Sequence, residues 1–395
     1  MKCVYVSYDG LLDPLGQSQV VPYIQCLVAA GHSFAVLSYE KEQRPGLEIQ
    51  TLERSLNKAG VEWIRLPFRA GGFEFAKRVI FGVVAVRNIC GRIRPDIVHL
   101  RGFMPAVIYK LSLLRVPHLY DFRGFAIEEW TDIGKLRAGS LAHRVLRQMD
   151  HLAVGSACGL VVLEKPAESL LRTLYNVPNV PLKVIRTSTD VSLYKPRTES
   201  DADSQRDPIK FVCLGGARRP YRPDLALRFV AQLIKGGIDC RVDFINERDH
   251  ADIISAAEEV SFPLDKLTVL RLDQRCIPGA LENYACGLIF LDSSPWRRVC
   301  SPTKLGEYLA AGLPVISLDG IDVLEEFAMR TSCVLIVSQR ELFSGAAMEM
   351  GNRCASFIRR PGVGFDCQEF ARRECNLEMA GHLYAELYAE IEARL

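Results

Sequence analysis

Ser301-Pro302-Thr303-Lys304-Leu305-Gly306-Glu307-Tyr308-Leu309-Ala310-Ala311-Gly312-Leu313-Pro314-Val315-Ile316 is the stretch whose reading decides the fold. It reads as a short helix, punctuated at both ends, that runs into a strand. Ser301 suits the N-cap, Pro302 the first helical position, and Gly312 with Pro314 stops the helix. Leu305, Tyr308 and Leu309 recur at helical spacing, so that face is apolar and packs on a sheet. Thr303, Lys304 and Glu307 share another face. The free N–H groups at the helix start, with Thr303 and Lys304 beside them, make an anion site. One turn on, Glu307 is placed to accept hydrogen bonds from sugar hydroxyls. Phosphate beside sugar hydroxyls is the chemistry of a nucleotide.

Outward from this stretch the chain alternates short apolar runs with longer amphipathic ones, the rhythm of βα units on parallel sheets. Strands are expected at Lys2–Ser7, Ser33–Ser38, Glu62–Leu66, Ile97–Leu100, Leu119–Phe122, Gly159–Leu163 and Leu182–Arg186, with a helix from Ser18 to Ala30 after the first. The run from Lys195 to Asp207 is polar throughout and reads as a linker. After it the βα rhythm restarts, and the tail from Asp366 is helical and amphipathic. The organisation expected is α/β with two doubly wound domains: residues 1–190, a linker at 191–208, residues 209–375, and a final helix at 376–395. Open α/β sheets bind ligands at the carboxyl ends of their strands, so the interdomain cleft is the expected site.

Composition narrows the classes. A chain of 395 residues suits two domains. A net charge of +2 gives no reason to propose nucleic acid as a partner. None of the 13 cysteines forms a C-x-x-C pair, and most sit in apolar runs, as thiols do in a reducing cytosol. The histidines make no metal spacing, so no metal site and no cofactor are expected. The opening Met1-Lys2-Cys3-Val4-Tyr5-Val6 looks like a first strand rather than a signal peptide, and no run approaches the ~18 apolar residues of a membrane span. A cytoplasmic protein is expected.

Three stretches resemble the GT-B glycosyltransferases, specifically glycosyltransferase family 4: Leu12-Asp13-Pro14-Leu15-Gly16-Gln17-Ser18-Gln19; Tyr120-Asp121-Phe122-Arg123-Gly124-Phe125 with Glu128 and Glu129; and Ser301–Ile316, the most specific. The resemblance implies two Rossmann-like domains and a retaining, metal-independent transfer of a sugar from a nucleotide-diphosphate donor to an acceptor hydroxyl. The second domain would bind the nucleotide and the first would hold a glycan or lipid-linked acceptor, with the last helix crossing back to the first domain. Polysaccharide biosynthesis is the expected setting.

By the same resemblance Glu307 holds the ribose, and Ser301, Pro302, Thr303 and Lys304 meet the diphosphate, with Lys304 stabilising the leaving group. Gly216 and the arginines Arg218, Arg219 and Arg222 follow a strand and face the phosphates, although a solvated loop explains three arginines equally well. Gly16, in a glycine-containing turn after the first strand, lets backbone approach the ligand; a plain βα turn is the alternative. Asp121 and Arg123 are the catalytic candidates of the first domain, orienting the acceptor and steering phosphate; an internal ion pair is the alternative. His99 is a further acceptor contact or a structural histidine. Where many relatives carry a glutamate that contacts the donor sugar, this chain has Val299; Asp292, Ser293 and Ser294 are candidate substitutes, although a strand-end turn explains them equally well. That departure keeps two other readings open, a non-catalytic nucleotide-sugar or glycan-binding subunit and a GT-B epimerase. Between Arg65 and Arg78, aromatic and basic residues interleave, a pattern that suits a partly buried βα loop or peripheral docking at the inner membrane face.

Overall fold

The computed structural model describes residues 1–41, 46–69, 71–198 and 208–395. The chain forms two compact units, Met1–Arg186 with Leu377–Leu395, and Thr187–Asn376.

The first unit is built on seven parallel strands: β1 (Lys2–Ser7), β2 (Ser33–Lys41), β3 (Glu62–Phe68), β4 (Ile97–Arg101), β5 (His118–Asp121), β6 (Gly159–Val162) and β7 (Leu182–Val184). Their order in the sheet is β3-β2-β1-β4-β5-β6-β7. The inner strands are buried along nearly their whole length, which is why they read as continuous apolar runs rather than alternating ones. The winding reverses between β1 and β4, the switch point at which such sheets bind ligands. Register places Ser7 opposite Arg101, and Arg101 opposite Asp121, in one row across the carboxyl edge.

Helix Leu377–Glu392 belongs to this unit and supplies Tyr384, Leu387, Tyr388 and Ile391 to its core. It lies so close to β6 that a side-chain carbon at Gly159 would come within 2.4 Å of Ile391. The amphipathic tail is thus two helices. Val363–Glu374 packs Cys367, Phe370 and Ala371 into the second unit, and the chain passes to the first at Leu377.

The second unit carries β8 (Ile209–Leu214), β9 (Cys240–Ile245), β10 (Leu267–Leu270), β11 (Cys286–Ile289), β12 (Val315–Leu318) and β13 (Val334–Val337), parallel and ordered β10-β9-β8-β11-β12-β13. Its winding reverses between β8 and β11. One face is covered by Phe229, Leu233 and Ile358, the other by Leu305, Tyr308, Phe327 and Phe370.

Of the expected linker, residues 199–207 lie outside the described residues. The part before them is tied to the second unit. Tyr194 is buried, Arg197 N–H donates to Gln368 Oε1 at 2.7 Å, and Gln368 Nε2 donates to the Lys195 carbonyl at 2.8 Å. Two local expectations are corrected. The turn at Leu12–Gln19 is a helix, Pro14–Gln19, started by proline and followed by a second, Val21–Ala29, in place of one helix from Ser18. The signature helix begins at Thr303, not Pro302. Pro302 itself occupies the capping position with extended backbone (ψ 118°), and no side chain caps the helix.

Candidate functional site

In the second unit, helix Thr303–Ala310 is fastened to the carboxyl end of β8. β11 pairs with β8 only as far as Val212, so the backbone of Leu214 needs partners on that side. Two side chains of the helix provide them: Lys304 Nζ donates to the Leu214 carbonyl at 2.6 Å, and Leu214 N–H donates to Tyr308 Oη at 2.7 Å. Lys304 is buried, and its charge is also met by the Tyr221 ring, 3.9 Å from Nζ. Tyr221 in turn lies over Gly216, where an added side-chain carbon would come within 2.8 Å of the ring. The Gly216–Tyr221–Lys304 stack therefore explains this glycine by packing.

Glu307 is 9 % exposed, and one of its carboxylate oxygens accepts from Gln274 Nε2 at 2.9 Å. Burial pushes its pKa up, partly offset by the Gln274 hydrogen bond and the Lys304 charge. Gln274 is a site residue that sequence reasoning missed. It comes from a separate 3-10 turn, Gln274–Cys276, with no spacing relation to the helix. Ser301 does not cap. It takes hydrogen bonds from Thr187, whose N–H and Oγ1 lie 3.3 and 3.0 Å from Ser301 Oγ.

The three arginines of the Gly216 loop each have carboxylate partners. Arg222 makes a two-pronged contact with Asp224 at 2.8 and 2.6 Å and a third bond to Asp292 at 2.9 Å, and these hold its pKa above the ordinary value. Arg218 pairs with Asp252 at 2.7 Å and Arg219 with Asp292 at 3.4 Å, and both are exposed. Arg222 is consequently a tie within the loop, and Arg218 and Arg219 are the ones open to solvent. Val299 is buried.

In the first unit, Asp121 is fully buried at the end of β5 and shared among four groups. Arg123 NH1 donates to Oδ1 at 3.4 Å, Tyr384 Oη donates to Oδ2 at 3.1 Å, and His99 Nε2 and Arg101 NH1 both stand 3.6 Å from Oδ2. Burial alone would raise the Asp121 pKa. The Arg123 guanidinium, with His99 and Arg101, outweighs burial and holds it well below the usual carboxylate range. Asp121 and Arg123 are therefore together, as an ion pair. His99 is buried, hydrogen-bonded to the Tyr388 hydroxyl at 2.8 Å and kept neutral by burial. Arg101, unassigned by sequence reasoning, joins them through the strand register. Glu128 is also buried, while Glu129 lies against Gly124.

Gly16 has no opening toward a ligand. A side-chain carbon there would sit 2.0 Å from the Gly10 carbonyl, so what approaches this glycine is the chain's own backbone. The nearby amides are also occupied, since Glu40 accepts from Leu11 N–H at 2.6 Å and Leu12 N–H at 3.4 Å.

In the interleaved aromatic and basic run Arg78 is buried, stacks 4.4 Å from the Phe68 ring centre and donates to Tyr8 Oη at 2.8 Å. Ala70 within that run lies outside the described residues. Exposed apolar side chains appear instead further along helix Gly72–Ile93, at Ile80, Phe81 and Val84. Among the described residues no helix is long and apolar enough to cross a membrane.

Two parallel sheets, each reversing its winding and carrying charged groups at the reversal, define a protein of the GT-B type. Residues 17–187 match the family model described as a glycosyl transferase 4-like domain, and the chain has the GT-B fold. Solved structures similar to it include sucrose-phosphate synthase from Thermosynechococcus elongatus, 14 % identical, with a TM-score of 0.75 and 100 % of both chains covered. WaaG, a glycosyltransferase involved in lipopolysaccharide biosynthesis, is 11 % identical with a TM-score of 0.66, covering 98 % of this chain and 99 % of WaaG. HepE of Anabaena, solved with UDP and glucose, is 13 % identical with a TM-score of 0.63 over 98 % of this chain and 99 % of HepE. No curated protein matches the chain in sequence.

Proposed function

We propose that the protein transfers a sugar, with retention at the anomeric carbon and without a metal, from a nucleotide-diphosphate donor to an acceptor hydroxyl in polysaccharide biosynthesis. The observation that carries this reading is Glu307. It is a nearly buried carboxylate one turn inside an uncapped helix, hydrogen-bonded by Gln274 and accompanied by the buried cation Lys304. A carboxylate in that setting pairs with the two hydroxyls of a ribose, and the helix start beside it receives the diphosphate. Lys304 gives one ammonium hydrogen to Leu214 and retains others for the departing diphosphate, where negative charge grows during transfer. HepE, solved with UDP and glucose, is consistent with a uridine donor.

In the same reading Thr303, Ser301, Pro302 and Gly216 surround the diphosphate, Arg218 and Arg219 reach it from the Gly216 loop, and Asp121 and Arg123 orient the acceptor. The acceptor is a glycan or a lipid-linked sugar at the cytoplasmic membrane face. Ile80, Phe81 and Val84 are the residues that would touch the bilayer.

Calorimetric titration with UDP tests the central assignment. Glu307→Ala should weaken binding at least tenfold, the loss of roughly 1.5–3 kcal/mol expected for hydrogen bonds to a charged group. Unchanged affinity would sink it. The same preparation separates the rival activities. Binding with no turnover on any acceptor marks a binding subunit, and interconversion of the donor sugar without acceptor marks an epimerase.

A further inference from the structure

The carboxyl edge of the first sheet holds more positive charge than its neighbouring carboxylate matches. Arg101 is 6 % exposed, and its Nε and NH1 have no hydrogen-bond partner among the described residues. Its nearest carboxylate oxygen, Asp121 Oδ2, stands at 3.6 Å, too far for a hydrogen bond, and is already taken by Tyr384. Arg123 draws on the same carboxylate. With His99 neutral and Asp121 ionised, two guanidinium charges face one carboxylate in a buried cluster. The Tyr5 hydroxyl also lies beside Arg101 but brings no charge.

We propose that Arg101, with Arg123, binds a phosphoryl group of the substrate. A buried cation with unmet donors is costly unless an anion accompanies it, and a water molecule would satisfy the donors but not the charge. The guanidinium fork matches two phosphate oxygens. Location agrees: register puts Arg101 between Ser7 and Asp121, at the switch point of the sheet. Helix Phe103–Leu111 starts two residues later with no side-chain cap, adding partial positive charge at the same edge. Arg222 in the second unit shows the contrasting case, an arginine whose fork is filled by Asp224 and Asp292. Arg101 has no such filling.

The phosphoryl group has two sources, the donor's diphosphate or a phosphate on the acceptor, and this part of the inference rests on the transferase reading. Calorimetry of the full chain with inorganic phosphate tests the site itself. Wild type should bind phosphate, Arg101→Met should weaken binding roughly tenfold to a hundredfold, and Arg101→Lys should retain part of it. Asp121→Asn removes the competing carboxylate and should tighten binding. Structural damage would weaken binding in both Arg101→Met and Asp121→Asn, so the opposite signs are the signature; if Asp121→Asn does not fold, the Lys and Met variants carry the comparison. Repeating the titration at saturating UDP assigns the source. Displacement points to the donor diphosphate, and retained binding to an acceptor phosphate. No phosphate binding by wild type, or equal affinity in wild type and Arg101→Met, overturns the proposal. Phosphate binding without sugar transfer would refute the transferase reading and leave this site standing, whereas transfer with an indifferent Arg101 would do the reverse.

Discussion

Replacing Asp121 by asparagine separates the charge of this buried group from its shape. The side chain is fully buried, so solvent does not screen it, and its removal leaves Arg101 and Arg123 facing each other without a counter-charge. Breaking a buried pair by deleting one partner costs about 3–5 kcal/mol. Asparagine keeps an oxygen that can accept from Tyr384, which places the expected loss near the lower end, about 3 kcal/mol at pH 7. For a unit of this size that corresponds to a melting point lower by about 6–12 °C.

The pH dependence has a definite sign. The folded-state pKa of Asp121 is depressed, so its contribution is present above the unfolded value of about 3.9 and is lost as pH falls below it toward the folded pKa. Wild type and variant should therefore converge in acid. Urea unfolding in phosphate-free buffer, followed by tryptophan fluorescence in a Trp296→Phe background, reports on the first unit through Trp63 and Trp130. A loss below about 1 kcal/mol at pH 7, or a gap that stays constant down to pH 3, would refute the account of the cluster.

Gly16→Ala should destabilise the first unit by at least about 1–3 kcal/mol, because its new methyl meets the Gly10 carbonyl at 2.0 Å and the backbone must move. A melting curve superimposable on wild type would contradict that packing, and UDP affinity is expected to remain unchanged. Vesicles containing phosphatidylglycerol should co-sediment with wild type at low salt, and Ile80→Ser with Phe81→Ser should abolish this; binding that persists in the double variant would remove helix Gly72–Ile93 as the contact.

The sequence made the fold class readable because both sheets are parallel and buried on two faces, so every strand is an apolar run between helical patterns. It was less informative wherever a tertiary neighbour decides. Pro14–Gln19 looked like a glycine turn, yet Gly16 serves helix-to-backbone packing, a relation invisible without knowing that Gly10 lies against it. Ser301 has the chemistry of a cap, but Thr187 claims its hydroxyl and the helix starts after Pro302. The arginines after Gly216 are clustered in sequence, but their counter-ions come from elsewhere, Asp249 and Asp252 from the start of helix His250–Glu259 and Asp292 from the loop after β11. Helix Ala347–Ile358 was not assigned at all, because its punctuation is weak and no side chain caps its start. Arg101 is the instructive omission. It was visible as a residue before Gly102, but its importance depends on β4 lying between β1 and β5, which is a matter of strand order and not of spacing.

The last helix has a consequence for biosynthesis. Tyr384 and Tyr388, which bond Asp121 and His99, lie in a helix that follows the whole of the second unit in sequence. A ribosome therefore delivers the first unit's strands long before the helix that seals them. Until that helix emerges, the apolar face awaiting Leu387 and Ile391 stays uncovered, open to chaperones and proteases. A chain released early would lack these aromatic lids over its buried charges even if its second unit were fully made. The charged edge of the first unit is thus closed by a helix that is made only after the second unit.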